Sequence, residues 1–265
     1  MQKTLRVAIA QFQIEDYAED TLAKIERAME QAGKRGAAVV VTPESILNPG
    51  LRDKVRNEKL VFDEQYMLSI LSRKAAECKV GILLGYVTQK DKDVINCAAL
   101  IDAQGHVVDI YQKTHLFEEE RLTRTPGDKF CISVLNDIPI GILICFDLEF
   151  PEVPRSLALS GAKILFIPAA NMYPYGHAHR ALSIARAIEN HTFVVYCNRT
   201  GPVGDVVDVG ESCVIDPFGR IVAELGYPEG LLFADLDLSM LVQARRHFDY
   251  FKERRPSLYQ KIVSG

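Results

Sequence analysis

Residues 138–152 read Ile-Pro-Ile-Gly-Ile-Leu-Ile-Cys-Phe-Asp-Leu-Glu-Phe-Pro-Glu. An apolar run rises to Cys145 and breaks at once into charged residues, with Pro151 opening a helix. A run apolar on both alternating faces is a strand covered on both sides, as in sheets flanked by helices. Its carboxyl end is where such α/β proteins tend to place their chemistry. Taken alone, Cys145 reads as one more buried core thiol, because free cysteine is among the most buried residue types.

Strand and helix patterns alternate along the rest of the chain. Residues 5–11 read as a strand and 21–32 as a helix. Leu22, Ile25, Met29 and Ala32 form its stripe, and Gly33 is its expected C-cap. Residues 37–42 form a short buried strand ending at Pro43-Glu44, and a helix over 64–78 leads to a strand over 80–87. Two hairpins follow. One joins 95–101 to 106–111 around Asp102-Ala103-Gln104-Gly105, the other 131–135 to 138–145 around Asn136-Asp137. A helix at 151–160, a strand at 163–168, a helix at 177–190 and a strand at 193–198 come next. Two late strands flank Asp216-Pro217-Phe218-Gly219, and a last helix starts near Ser239. Hairpins mixed with βα units imply mixed sheets covered by helices. No repeat or Pro/Gly-rich linker interrupts the 265 residues, so one domain over 1–265 is expected, with 249–265 as an arm at a subunit interface.

Composition narrows the function. The net charge of −4 carries no basic footprint for nucleic acid or an anionic membrane surface. No apolar run reaches the roughly 20 residues of a membrane span. The N-terminus lacks the apolar core of a signal peptide, so a cytoplasmic location is expected. None of the six cysteines forms a C-x-x-C pair, and no Cys/His spacing fits zinc. His177 and His179 have metal-ligand spacing but no third ligand nearby. No metal or cofactor is expected.

Two other strand ends carry chemistry. Val39-Val40-Val41-Thr42-Pro43-Glu44 puts a carboxylate just past a buried strand, and Asp109-Ile110-Tyr111-Gln112-Lys113 puts a lysine at the end of another. Each alone reads as a solvated loop residue. Together with Cys145 they make an acyl-transfer set without histidine. A thiol needs a base or a nearby cation, a desolvated carboxylate can move protons, and a lysine can hold an oxyanion. Spacing alone does not bring them together.

The segments Ala8-Ile9-Ala10-Gln11, Thr42-Pro43-Glu44-Ser45, Tyr111-Gln112-Lys113-Thr114-His115-Leu116-Phe117 and Ile144-Cys145-Phe146-Asp147-Leu148-Glu149-Phe150-Pro151-Glu152 add a further signal. So do Ala185-Arg186-Ala187-Ile188-Glu189-Asn190 and Cys197-Asn198-Arg199. In this order, over nearly the whole chain, they resemble the nitrilase superfamily, the carbon–nitrogen hydrolases. The resemblance implies a four-layer αββα sandwich with two mixed central sheets. It also implies a triad of Glu44, Lys113 and Cys145. A second glutamate falls within Glu118-Glu119-Glu120, where Glu120 fits best. Relatives commonly form dimers. One departure stands out: Glu149 occupies a position where many relatives carry arginine. In some branches that position recognises a substrate carboxylate, so an acidic residue argues against acidic substrates.

The expected reaction is hydrolysis of a small carboxamide to acid and ammonia through a thioester on Cys145. Glu44 serves as base, and Lys113 with the backbone N–H of Phe146 holds the oxyanion. Glu120 orients the amide and supports Lys113. The runner-up is hydrolysis of a nitrile. A redox-sensing thiol, with Cys131 as resolving partner, and a silent binding module are the readings from other classes. Asn171 and Tyr173 are the candidate substrate contacts. His115 reads as packed, and Arg186–Glu189 as a structural ion pair.

Overall fold

The computed structural model describes residues 4–47, 63–118 and 120–263. Two six-stranded mixed sheets form its centre. The first contains β1 (Thr4–Gln11), β2 (Val39–Val41), β3 (Gly81–Lys90), β4 (Asp93–Ile101), β5 (Val107–Gln112) and β14 (Gly230–Asp237), in the order β14-β1-β2-β3-β4-β5. The second contains β6 (Ile132–Leu135), β7 (Ile138–Ile142), β8 (Ile164–Ala169), β9 (Phe193–Asn198), β12 (Cys213–Ile215) and β13 (Ile221–Glu224), in the order β13-β12-β9-β8-β7-β6. In each sheet three central strands run parallel and the flanking ones antiparallel. A small hairpin, β10 (Thr200–Val203) with β11 (Val206–Val209), stands apart.

The side-chain period of two explains the layering. Val7, Ile9, Val39, Val41 and Leu83 point from the first sheet into one core, where they meet Ile140, Ile142, Ile164, Phe166 and Val195 of the second. The intervening Ala8, Ala10, Val40, Ile82 and Leu84 pack outward against α1 (Ala18–Lys34) and α2 (Glu64–Cys78). On the far side, Leu143, Leu165, Ile167 and Val194 face α4 (Glu152–Leu159) and α5 (Gly176–Asn190). This is the expected αββα sandwich. The remaining helices are α3 (Glu120–Thr123), α6 (Ser239–His247) and α7 (Pro256–Val263).

Several expectations are corrected. The turn Asp91-Lys92 joins β3 to β4 with register from Ile82 to Lys90, a hairpin the pattern did not show because both strands are almost wholly buried and lack alternation. Strand β14, half-exposed along most of its length, was not expected at all. Residues 200–203 form strand β10, with a turn at Gly204-Asp205 before β11. The strand into the thiol ends at Ile142, and Cys145–Glu149 form a 3₁₀ turn. Gly33 is not a C-cap: α1 continues to Lys34, and Gly36 takes the positive φ of +70°. Gly33 instead lies against α2, where an added Cβ would sit 2.3 Å from the Cys78 carbonyl oxygen. The start of the C-terminal segment folds back on the body, with Tyr250 stacked on His191 and Phe251 beneath Arg155 and Arg245.

Replacing Gly33 with alanine should push α1 from α2 and cost about 1–3 kcal/mol, the usual range for overpacking, in urea denaturation.

Candidate active site

Three strand ends converge on one cavity of about 310 Å³ between the sheets' carboxyl edges. Glu44 follows β2 in a segment that lies directly on β3. The Thr42 hydroxyl accepts from the Gly85 N–H at 3.1 Å, and the Ile46 N–H donates to the Gly85 carbonyl at 3.1 Å. Only glycine allows this approach, since a Cβ at Gly85 would lie 2.2 Å from the Pro43 carbonyl oxygen. Lys113 follows β5, its backbone held to Asn96 of β4 at 2.9 Å and to Gly127 at 2.8 Å.

Lys113 is 2% exposed. Its ammonium donates to Glu44 Oε1 at 2.8 Å and to Glu120 Oε2 at 2.7 Å. Asn96 Nδ2 joins the same carboxylates, at 2.6 Å to Glu44 and 3.3 Å to Glu120. Glu120 also accepts from the Phe117 N–H at 3.0 Å and pairs with Arg124 at 3.6 Å. The structure thus selects Glu120 as the glutamate that meets the lysine. Glu118 lines the cavity but is exposed, and Glu119 lies outside the described residues.

Electrostatics set the resting proton positions. Burial pushes the Glu44 carboxyl up, but the Lys113 charge outweighs it and holds the group at about 2. Burial lowers the Lys113 ammonium, yet Glu44, Cys145 and Glu120 keep it above its ordinary value. Burial, reinforced by the Glu44 charge, pushes the Cys145 thiol well up, against the Lys113 charge and a hydrogen bond from the Ala170 N–H. The resting site is therefore carboxylate, ammonium and neutral thiol.

Cys145 has φ +47°, a left-handed conformation that costs a non-glycine residue about 1–3 kcal/mol. Asp147 holds it there. Fully buried, it accepts from the Ile144 N–H at 3.0 Å, the His115 N–H at 2.9 Å, the Tyr111 hydroxyl at 2.8 Å and the Thr114 hydroxyl at 2.8 Å. His115 Nδ1 lies 2.9 Å away, and its ring stacks on Phe150. Arg186 binds the other end of the turn, donating to the carbonyls of Leu148 at 3.1 Å and Glu149 at 3.2 Å, while pairing with Glu189 at 3.1 Å.

The pattern missed Asn96 and Asp147. Asn96 was detectable as a polar residue inside the buried run 94–101, since buried amides need partners. Asp147 sat within the cysteine segment, but nothing local showed that it reaches back to residues 111–115. Asn171 lines the cavity, its backbone N–H donating to Asn198 at 2.7 Å. Tyr173 does not: it is 76% exposed, and Tyr175 stands on the wall instead. His179, weighed as a metal ligand, bonds Tyr196 and Glu149 at 3.0 and 3.2 Å.

A family model for carbon–nitrogen hydrolases matches residues 6–246. The chain belongs to that family and is an enzyme of this class. An (R)-stereoselective amidase from Pseudomonas sp. is 39% identical over 189 residues, covering 71% of this chain and 69% of that protein. The 2-oxoglutaramate amidase of Bacillus subtilis is 35% identical over 91% of this chain and 93% of its own length. Among solved structures, an amidase of the nitrilase superfamily from Nesterenkonia AN1 superposes with a TM-score of 0.85 at 26% identity, covering 98% of both chains. Other structures of that amidase hold acrylamide joined by Michael addition, or the acetamide moiety of fluoroacetamide, at the active-site cysteine.

Removing Asp147 leaves buried donors at the strand before Cys145 and at residues 111–115 unpaired. Asp147→Ala should cost about 3 kcal/mol or more in urea denaturation and lower the rate at which Cys145 is alkylated or acylated. Glu44 gives a pH signature. Its folded value lies below its ordinary 4.5, so its pairing contributes fully above that pH and is lost as pH falls toward about 2. The stability difference, wild type minus Glu44→Gln, should be level near neutrality and decline below about pH 4.5 in denaturant titrations.

Proposed function

We propose that this enzyme hydrolyses the C–N bond of a small carboxamide, with Cys145 as nucleophile, Glu44 as general base and Lys113 as oxyanion stabiliser. The observation that carries the reading is the hold of buried Lys113 by both Glu44 and Glu120 in a cavity that Cys145, Phe117 and Phe146 also line.

Because the thiol is held neutral and Glu44 ionised, no standing thiolate is needed. Glu44 takes the Cys145 proton as sulfur attacks the carbonyl carbon, and negative charge moves to the substrate oxygen. Lys113 and the Phe146 N–H receive that charge; the 3₁₀ turn after Cys145 leaves this N–H free of any partner among the described residues. Glu44 then protonates the leaving nitrogen. Ammonia departs, a thioester remains on Cys145, and water deprotonated by Glu44 releases the acid and the thiol. Glu120 holds Lys113 in place and offers a carboxylate to the substrate's NH₂ group.

The amidase relatives and the cysteine adducts of the Nesterenkonia enzyme support an amide over a nitrile as substrate. The proposal includes Asn171 as a wall contact, no metal or cofactor, and a single domain over 1–265. A cytoplasmic setting agrees with six free thiols. The proposal also includes self-association through residues 249–265, where Leu258 is exposed.

Intact-mass spectrometry with propionamide or butyramide should show an acyl adduct that Cys145→Ala lacks together with all turnover. Glu44→Gln should lower turnover by a factor on the order of 10³ or more, the scale of losing an essential base. An active Cys145→Ala protein would sink the mechanism.

A further inference from the structure

The last parallel pair between β8 and β9 joins Ala169 to Asn198. Past that pair the chain runs on beside Glu44 and Cys145, and its backbone groups need partners other than the ladder. The Ala169 carbonyl accepts the Glu44 N–H at 3.3 Å and the Arg199 N–H at 3.2 Å, a backbone contact from the second sheet to the segment after β2 of the first. The next N–H, of Ala170, reaches the Cys145 sulfur. Asn171 follows on the cavity wall. Residues 169–171 therefore form a strap that touches both Glu44 and Cys145.

One side chain fastens the strap. Asn198 is fully buried and stands behind the cavity wall rather than on it. Its Oδ1 accepts the Asn171 N–H at 2.7 Å, and its Nδ2 donates to the Asn171 carbonyl at 3.0 Å. The amide thus gives residue 171 the two bonds that a neighbouring strand would give, beyond the point where the strand ends. The second Nδ2 hydrogen goes to the Gly210 carbonyl at 2.8 Å, just past β11. That hairpin grips the strap as well, with the Val209 N–H on the Asn171 carbonyl at 3.1 Å and the Tyr173 N–H on Val207 at 2.9 Å. The Asn198 N–H donates to the Ser212 hydroxyl at 2.9 Å, which fixes the clamp itself. No other side chain of this length offers one acceptor and two donors in a plane.

We infer that Asn198 is a positioning residue: by clamping residue 171 it holds the strap 169–171 so that Glu44 and Cys145 meet one substrate in a fixed relation. The inference rests on the amidase reading above for turnover, but not for the reactivity of the thiol.

Asn198→Ala removes the clamp, and Asn198→Asp keeps its shape and the acceptor for the Asn171 N–H. Gly33→Ala, destabilised between α1 and α2, controls for stability alone. Circular dichroism and Tm check that each protein folds. Iodoacetamide labelling read by peptide mass spectrometry reports each thiol separately. In Asn198→Ala, Cys145 should label about three- to tenfold more slowly at fixed pH, because the thiolate loses a hydrogen bond while its higher basicity restores part of the rate. Buried Cys97, Cys197 and Cys213 should stay unlabelled, and Gly33→Ala should label at the wild-type rate. With propionamide, kcat should fall about 100-fold in Asn198→Ala with KM little changed, the scale of a misplacement transmitted to the reacting groups. Asn198→Asp should retain part of both rates. Slower Cys145 labelling in a series whose wild type turns over no amide would overturn the amidase reading and keep this one. Faster labelling of Cys145 together with Cys197 or Cys213 would show that Asn198 only holds the fold, and so would failure of both Asn198 variants to fold. Either result overturns the inference, as would wild-type labelling and turnover in Asn198→Ala, or an equal loss in Gly33→Ala.

Discussion

An ammonium taken out of water must be paired, and Lys113 is almost wholly buried. That requirement ties together the segment after β2, the end of β5 and the start of α3, because Glu44 and Glu120 both have to reach the same nitrogen. Asn96 closes the group from β4. Losing Lys113 would strand the buried Glu44 carboxylate. The group also sets the chemistry: Lys113 keeps Glu44 ionised, and Glu44 with burial keeps Cys145 protonated. In the proposed mechanism Glu44 and Cys145 are thus separated by a proton that moves only when a substrate gives sulfur's electrons somewhere to go.

The second dependency is mechanical. Sheets facing each other through a shared apolar core fix the distance between strand ends, but not the direction of the thiol. That direction comes from the left-handed Cys145, a conformation held by Asp147 on one side and Arg186 on the other. Asp147 belongs to the cysteine turn, yet most of its partners lie at residues 111–115, beside Lys113. One carboxylate therefore registers Cys145 and Lys113, across the two sheets, against each other.

Much of this was legible along the chain. That Glu44, Lys113 and Cys145 gather at one cavity was expected from strand ends and a resemblance spread over nearly the whole length. The stripe of α1 and the Asn136-Asp137 hairpin followed from periodicity and turn chemistry, with both turn residues at positive φ. The misses share a cause. β3 and β4 are buried on both faces, so their long hairpin shows no alternation. Gly33 and Gly85 look like breakers, whereas each is a point where another backbone passes too close for a Cβ.

The sequence by itself determined that mixed sheets would be covered by helices, because apolar residues on both faces of short strands demand cover on both sides; their stacking as four layers came from the resemblance. It also placed a thiol, a carboxylate and an ammonium at three strand ends, a set that the resemblance to a known family, rather than their spacing, grouped into one site. Tertiary structure alone decided which glutamate meets Lys113, that Asn96 and Asp147 hold the site, and that Tyr173 points away while Glu149 faces in. Those outcomes depend on distances between residues far apart in the chain, and no local period or spacing encodes a distance across two packed sheets.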